Sequence, residues 1–200
     1  MSDLIVFTIG HSTRTLEAFV DLLRAHKIAR VVDVRTIPRS RRNPQFNGET
    51  LAEAFHGRRI HYTHLAALGG LRQARKDSLN TGWQNASFRG FADYMQTAEF
   101  EKGIEKLVNL AEKEQVAIMC AEAVPWRCHR SLIADALVAR GIAVHHITSL
   151  TRAEPHRLTS FARVEGTHIT YPSPLELSNG VVSSFTRGAS GASPAPVRTG

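Results

Sequence analysis

Two hundred residues with a mass of 22.1 kDa suit one packed domain plus an extension. Hydrophobic residues at 42% and charged residues at 22% are ordinary for a globular chain and exclude a wholly disordered one. The longest apolar runs, residues 4–9 and 116–120, fall far short of a membrane span. No basic-then-apolar leader opens the chain, so no membrane partner is expected and the expected compartment is the cytoplasm. Lysine and arginine total 25 against 18 acidic residues, a formal charge of +7, and 20 of those 25 are arginine. Arginine is the side chain that grips planar oxyanions, which suits a phosphate ester, a nucleotide or a nucleic acid. Codon usage in a GC-rich genome produces the same bias, so composition alone leaves the partner open. Two cysteines, Cys120 and Cys128, cannot build a disulfide framework and are expected as free thiols.

Residues 4–9 form a β-rich run closed by Gly10 and read as a buried strand. Ser12 or Thr13 is placed to cap the helix that follows, where Leu16, Phe19, Val20 and Leu23 recur at helical spacing. Residues 31–34 form a second strand. The segment from Arg35 to Gly48 is irregular, with Arg39, Arg41, Arg42, two prolines and an exposed-looking Phe46. A short helix is expected over 50–56 and a third strand over 60–65. Residues 69–87 keep no period and read as a long ordered loop. Helical turns follow over 88–95, and Thr97 caps a longer helix running to Glu114.

Residues 116–120 are a strongly apolar strand, residues 127–140 an amphipathic helix stopped by Gly141, and residues 142–147 a last central strand. Strands alternating with helices in this way define an α/β class, a single domain with a mainly parallel sheet flanked by helices. Its expected limits are residues 3–172, with a small hairpin around Glu165 and Gly166. Residues 173–200, rich in Ser, Gly, Ala and Pro, read as a flexible tail.

In an open parallel sheet, sites form at the carboxyl ends of strands. Those ends carry Gly10-His11-Ser12, Asp33-Val34-Arg35, Cys120-Ala121-Glu122 and His145-His146. His11, Cys120, Glu122 and Cys128 are therefore the candidate catalytic residues. Asp33, Arg35, Arg39, Arg41, His129 and Arg130 are the candidate substrate-binding residues. Each has a bland alternative: a capping histidine, an anchoring aspartate, a buried small cysteine. Their common departure from one sheet edge favours a joint site.

The stretch from Cys120 to Ser131 is the most informative. Positive charge at Arg127, His129 and Arg130, with a helix opening at Arg127 and Cys128, favours an anion or a thiolate there. A strand-to-helix turn holding a cysteine and arginines resembles the active loop of rhodaneses and cysteine-dependent phosphatases. In those families the loop is shorter; here Arg130-Ser131 lies ten residues beyond Cys120, too far for that cradle. Cys120, Glu122, Cys128, His129 and His11 offer mixed metal ligands. No CxxC or HxxxH pair is present, the zinc deaminase pattern is not matched, and no metal is expected.

Six ordered motifs carry a broader resemblance: Thr8-Ile9-Gly10-His11-Ser12; Asp33-Val34-Arg35 with Pro38-Arg39-Ser40; Leu68-Gly69-Gly70; Phe91-Ala92-Asp93-Tyr94-Met95; Met119-Cys120-Ala121-Glu122; and Cys128-His129-Arg130. Together with Arg157-Leu158-Thr159 and Phe161-Ala162-Arg163, they make the chain similar to the DUF488 family from about Ile5 to Tyr171. That family has no established biochemical role, so the resemblance leaves cofactor and reaction open. It does imply that these polar positions are shared. Two readings of function follow. One is an enzyme acting on a small phosphorylated or nucleotide-like anion, with a cysteine as nucleophile and Glu122 or His11 moving protons. The alternative is a nucleic-acid-binding module that uses the arginine-rich loops at 35–42 and 72–75, with Phe46 and Trp83 stacking on bases.

Overall fold

A computed structural model of the chain describes residues 4–173. The tail expected over 173–200 lies, apart from Ser173, outside the described residues. Strand β1 (Ile5–Gly10) leads into helix α1 (Leu16–Ala25), and β2 (Arg30–Asp33) follows. Helix α2 (Gly48–His56) precedes β3 (His61–His64); α3 (Ala86–Tyr94) and α4 (Ala98–Ala111) precede β4 (Val116–Cys120). Helix α5 (Arg130–Val138) returns the chain to β5 (Ala143–Ile147), and β6 (Ala153–Pro155) closes the sheet. The strand order is β3-β2-β4-β1-β5-β6; the first five strands run parallel and β6 is antiparallel at the edge. A separate hairpin, β7 (Arg163–Glu165) and β8 (His168–Thr170), turns through Gly166 at φ 62°. This is a single α/β domain, as the alternation of apolar strands and amphipathic helices predicts. No helix among the described residues is long and apolar enough to cross a membrane.

Alternation along the strands divides the interior into two layers. Ile9, Val31, Ala117 and Met119 face one side, with Phe19 and Leu23 of α1 and Leu51 and Phe55 of α2. Val6, Val32, Ile118 and Cys120 face the other, with Phe91 of α3, Phe100 and Ile104 of α4, and Leu132 and Ile133 of α5. Each of these large side chains, fully buried, contributes about 1.5–3 kcal/mol.

The loops leaving β1 and β4 set the site. These strands are adjacent, with Gly10 level with Cys120, yet α1 follows β1 to one face and α5 follows β4 to the other. Neighbouring strands whose connections diverge in this way leave a crevice at their carboxyl ends.

Three local expectations change. Thr15, not Ser12 or Thr13, caps α1, its hydroxyl accepting from the Ala18 amide at 3.2 Å; Ser12 instead sits at φ 51° in the turn before it. Helix α5 opens at Arg130, three residues later than expected, because Pro125–Arg127 forms a separate 3-10 turn. Phe46 is fully buried, not exposed; its ring lies against Phe19 at 5.2 Å and stacks on His11 at 4.3 Å.

Candidate functional site

The crevice is a cavity of about 650 Å³. Its floor is made where the chain leaves β1 and β4 side by side. The His11 amide donates to the Cys120 carbonyl at 3.0 Å and the Ser12 amide to the Ala121 carbonyl at 2.9 Å. Gly10 makes this approach possible, since a Cβ there would overlap the Glu122 carbonyl.

Of the residues singled out from sequence, His11, Arg35, Arg39, Cys120, Glu122, Cys128 and His129 line the cavity. Asp33, Arg41 and Arg130 do not. Asp33 lies fully buried behind Arg35, accepting from its Nε and Nη2 at 2.9 and 2.5 Å and from the Tyr62 hydroxyl at 2.8 Å. Arg41 is exposed outside the cavity. Arg130 is buried beneath the floor, donating to the Ile9 and Ala123 carbonyls at 2.7 and 3.2 Å, while its Nε has no partner. Among the described residues it has no carboxylate partner.

His11 is held at both ring nitrogens. Nδ1–H donates to the Ser12 carbonyl at 2.9 Å, and Nε2 accepts from Arg35 Nη1 at 3.4 Å. Burial, with Arg35 beside it, pulls this imidazole below its usual range. The neutral tautomer therefore steadies Arg35, whose Nε and Nη2 donors are spent on Asp33 and the Phe46 carbonyl, leaving the second Nη1–H.

The sulfur end is more open in its chemistry. Cys120 and Cys128 are both free and buried, and the donor atoms of Cys120, Cys128 and His129 all lie within 4.8 Å of one another. Cys128 as donor to Cys120 holds the Cys120 thiol well below its ordinary range, against the opposing effect of burial. The His129 ring and the Glu122 amide add to that stabilisation. The same bond, together with burial, pushes Cys128 up, so Cys120 is the thiol of the pair that gives up its proton more readily. His129 is fixed by Nε2–H donating to the Val34 carbonyl at 3.0 Å, which leaves Nδ1 3.6 Å from Cys128 Sγ. Gly70 fits the back of that ring, where a Cβ would come within 2.5 Å of Nδ1.

The candidate list left out two rim arginines, Arg42 and Arg127, although the basic segments that hold them stood out in the sequence, and the packing role of Gly70 was missed. A hydrogen-bonded chain outside the cavity was missed as well. Asp135 accepts from His156 Nε2 at 2.8 Å, His156 Nδ1 pairs with His146 Nε2 at 2.9 Å, and His146 Nδ1 with the Thr8 hydroxyl at 2.7 Å. The adjacent pair His145-His146 at a strand end was the available signal; its partners come from α5 and from the segment after β6.

A mainly parallel open sheet with two buried cysteines and several arginines at its switch point defines the class of this protein. Residues 15–137 match the model of the domain of unknown function DUF488, and the chain belongs to that family. No curated protein and no solved structure matches it.

Proposed function

We propose that this protein is an enzyme acting on a small anionic substrate, phosphorylated or nucleotide-like, in the cavity between β1 and β4. The observation that carries this reading is the charge of the walls. Arg35, Arg39, Arg42 and Arg127 line the cavity against a single carboxylate, Glu122. Arg42 and Arg127 make no ion pair among the described residues, and the buried Arg130 adds a further cation below the floor. A buried guanidinium answered only by carbonyls is costly unless an anion stands nearby. A cavity of about 650 Å³ is of the size that small-molecule sites have.

Within it the roles separate. Arg39, Arg42 and Arg127 hold the anion, and Arg35, braced by Asp33 and His11, presents its remaining donor edge. The Cys120 thiolate is the electron-rich centre at the floor. Glu122, with one oxygen engaged by the Val124 amide at 3.3 Å, is the group free to move a proton. His11, spent at both nitrogens, positions rather than transfers. A working thiolate requires a reducing compartment, which supports a cytoplasmic location.

A thermal-shift and binding screen of phosphorylated metabolites, nucleotides and oligonucleotides on the pure protein tests this reading. The expected result is stabilisation by small anions, weakened in Arg42→Ala and Arg127→Ala. Binding restricted to oligonucleotides, with the steep salt dependence of many phosphate contacts, would overturn it in favour of the nucleic-acid module. Two aromatics invoked for that module are engaged internally: Phe46 is buried under His11, and Trp83 contacts the rings of Phe88, Phe161 and Tyr171 at 4.8–5.6 Å.

A further inference from the structure

We propose that Cys120, Cys128 and His129 form a three-ligand site for a borderline-soft divalent cation, zinc in the first instance, whose fourth position opens into the cavity. The inference rests on the functional reading above only for what that fourth position faces. Two sulfurs and one imidazole nitrogen are the donor types that select such an ion.

The geometry is close to what the ion requires. Zn–S of about 2.3 Å and Zn–N of about 2.0–2.1 Å place tetrahedral S and N ligands about 3.6 Å apart. Cys128 Sγ stands 3.6 Å from His129 Nδ1. Cys120 comes from the end of β4, and the Pro125–Arg127 turn folds Cys128 and His129 back over it, so donors eight and nine residues on converge without a CxxC spacing. For that reason the sequence pointed away from a metal.

His129 carries the orienting bond expected of a metal-bound imidazole. Its distal nitrogen donates to a backbone carbonyl, that of Val34 at 3.0 Å, which leaves Nδ1, turned toward the sulfurs, as the nitrogen that would ligate once it carries no proton. Gly70 and the Phe91 ring at 5.0 Å hold the imidazole in place. All three ligands line the cavity that Arg35, Arg39, Arg42 and Arg127 also line, so the fourth position is taken to open into it. Three protein ligands with an open position describe a catalytic rather than a purely structural site.

Charge balance also works. Both cysteines ligate as thiolates, giving up whatever thiol protons they carry, so two negative charges offset the dication and the ligand set is neutral overall. The surrounding arginines then do not oppose the ion, while the open position accepts water or an anionic oxygen of the substrate held by those arginines.

Cobalt titration of the chelator-treated full chain tests the proposal. One equivalent of Co²⁺ should give the intense visible bands of a tetrahedral site together with a thiolate-to-cobalt charge-transfer band, and Zn²⁺ should abolish both. Cys128→Ala and His129→Ala should lose or shift these bands. Because a variant could misfold, the wild type supplies a second readout: Zn²⁺ should protect Cys120 and Cys128 together from alkylation, detected by mass spectrometry. Absent bands, bands unchanged in Cys128→Ala, or unprotected thiols would each overturn the site. Adding inorganic phosphate to the cobalt form should perturb the bands; an unaltered spectrum would refute an open position facing the arginines. Small anions binding equally well to metal-free protein, with no cobalt bands, would sink the metal and leave the proposed function standing. Cobalt bands without any small-anion binding would do the reverse.

Discussion

Two groups of titratable side chains border cavities in this molecule, and they differ in how much of their bonding capacity is already used. Around the cavity of about 540 Å³ beside β5 and β6, the histidines are spent. Asp135 is fully buried and accepts from His156 Nε2, from the Thr159 amide and hydroxyl at 3.0 and 2.7 Å, and from the Tyr171 hydroxyl at 2.9 Å. His146 and His156 have both nitrogens engaged. Around the cavity of about 650 Å³ between β1 and β4, a cysteine pair with His129 Nδ1 only 3.6 Å from a sulfur, a carboxylate oxygen, and two rim arginines with no ion pair among the described residues remain to be used. Closed networks hold a fold together; open ones receive something. Titratable clusters alone do not identify a site, but their leftover valences do.

The comparison breaks most sharply at Asp135. Asp135→Ala leaves several buried donors without an acceptor and should cost about 3–5 kcal/mol, as removal of one partner from a buried pair does. Tyr171→Phe, which loses one bond, should cost about 1 kcal/mol. Urea unfolding midpoints measure both, and midpoints matching wild type would mean that the closed network contributes little to stability.

At the open cavity the largest change should be in reactivity. In metal-free protein, alkylation followed by mass spectrometry should modify Cys120 at a pH below the roughly 8.5 of a free cysteine, with Cys128 reacting only above it. Cys128→Ala removes the donor to the Cys120 thiolate, so the Cys120 profile should move up in pH. If both thiols react only near the free-cysteine value in wild type, the thiolate assignment fails.

A pH dependence of stability belongs to the closed region. Burial, with His156 and Arg130 nearby, pulls His146 down to about 4. The unfolded chain, with a histidine near 6.5, therefore takes up a proton that the folded chain refuses. This contribution is complete above pH 6.5 and is lost as pH falls from there toward 4. His146→Gln should flatten that part of the stability curve, and an equally steep acid limb in the variant would show that other groups set it.

The smallest effect on stability is expected at the rim. Arg42→Ala and Glu122→Gln touch no buried network, so their midpoints should stay within about 0.5 kcal/mol of wild type. Arg42→Ala should still weaken small-anion binding in a direct titration. A large loss of stability in either variant would place the rim among the closed networks.

The sheet was legible because β1, β2, β4 and β5 are apolar runs longer than chance, and the helices α1 and α4 keep a clear period with Thr at or near their starts. Strand β6 spans three residues and ends in proline, too short for any alternation to register. The late start of α5 was hidden because Trp126 and Arg127 continue a helical pattern that the 3-10 turn breaks. Strand ends alone brought His11, Cys120 and Glu122 to one edge, since a parallel register levels them. Phe46 misled because its neighbours in sequence are polar, whereas its neighbours in space are His11 and Phe19. The bond from His129 to Val34 joins residues 95 positions apart, and the His146–His156–Asp135 chain is assembled only by tertiary packing. Such contacts have no sequence period.

The close approach at Gly10 and Gly70 bears on how this site can diverge. Each wall of the sulfur corner rests on a position with no room for a methyl group, the Glu122 carbonyl filling one and the His129 ring the other. A lineage could exchange Arg39 or Arg42 one at a time and so shift its choice of anion by small steps. The corner itself offers no such path: an alanine at either glycine displaces a Cys120 or His129 support at once, and repair needs a simultaneous second change. New specificities should therefore accumulate on the arginine rim while the sulfur corner is inherited intact.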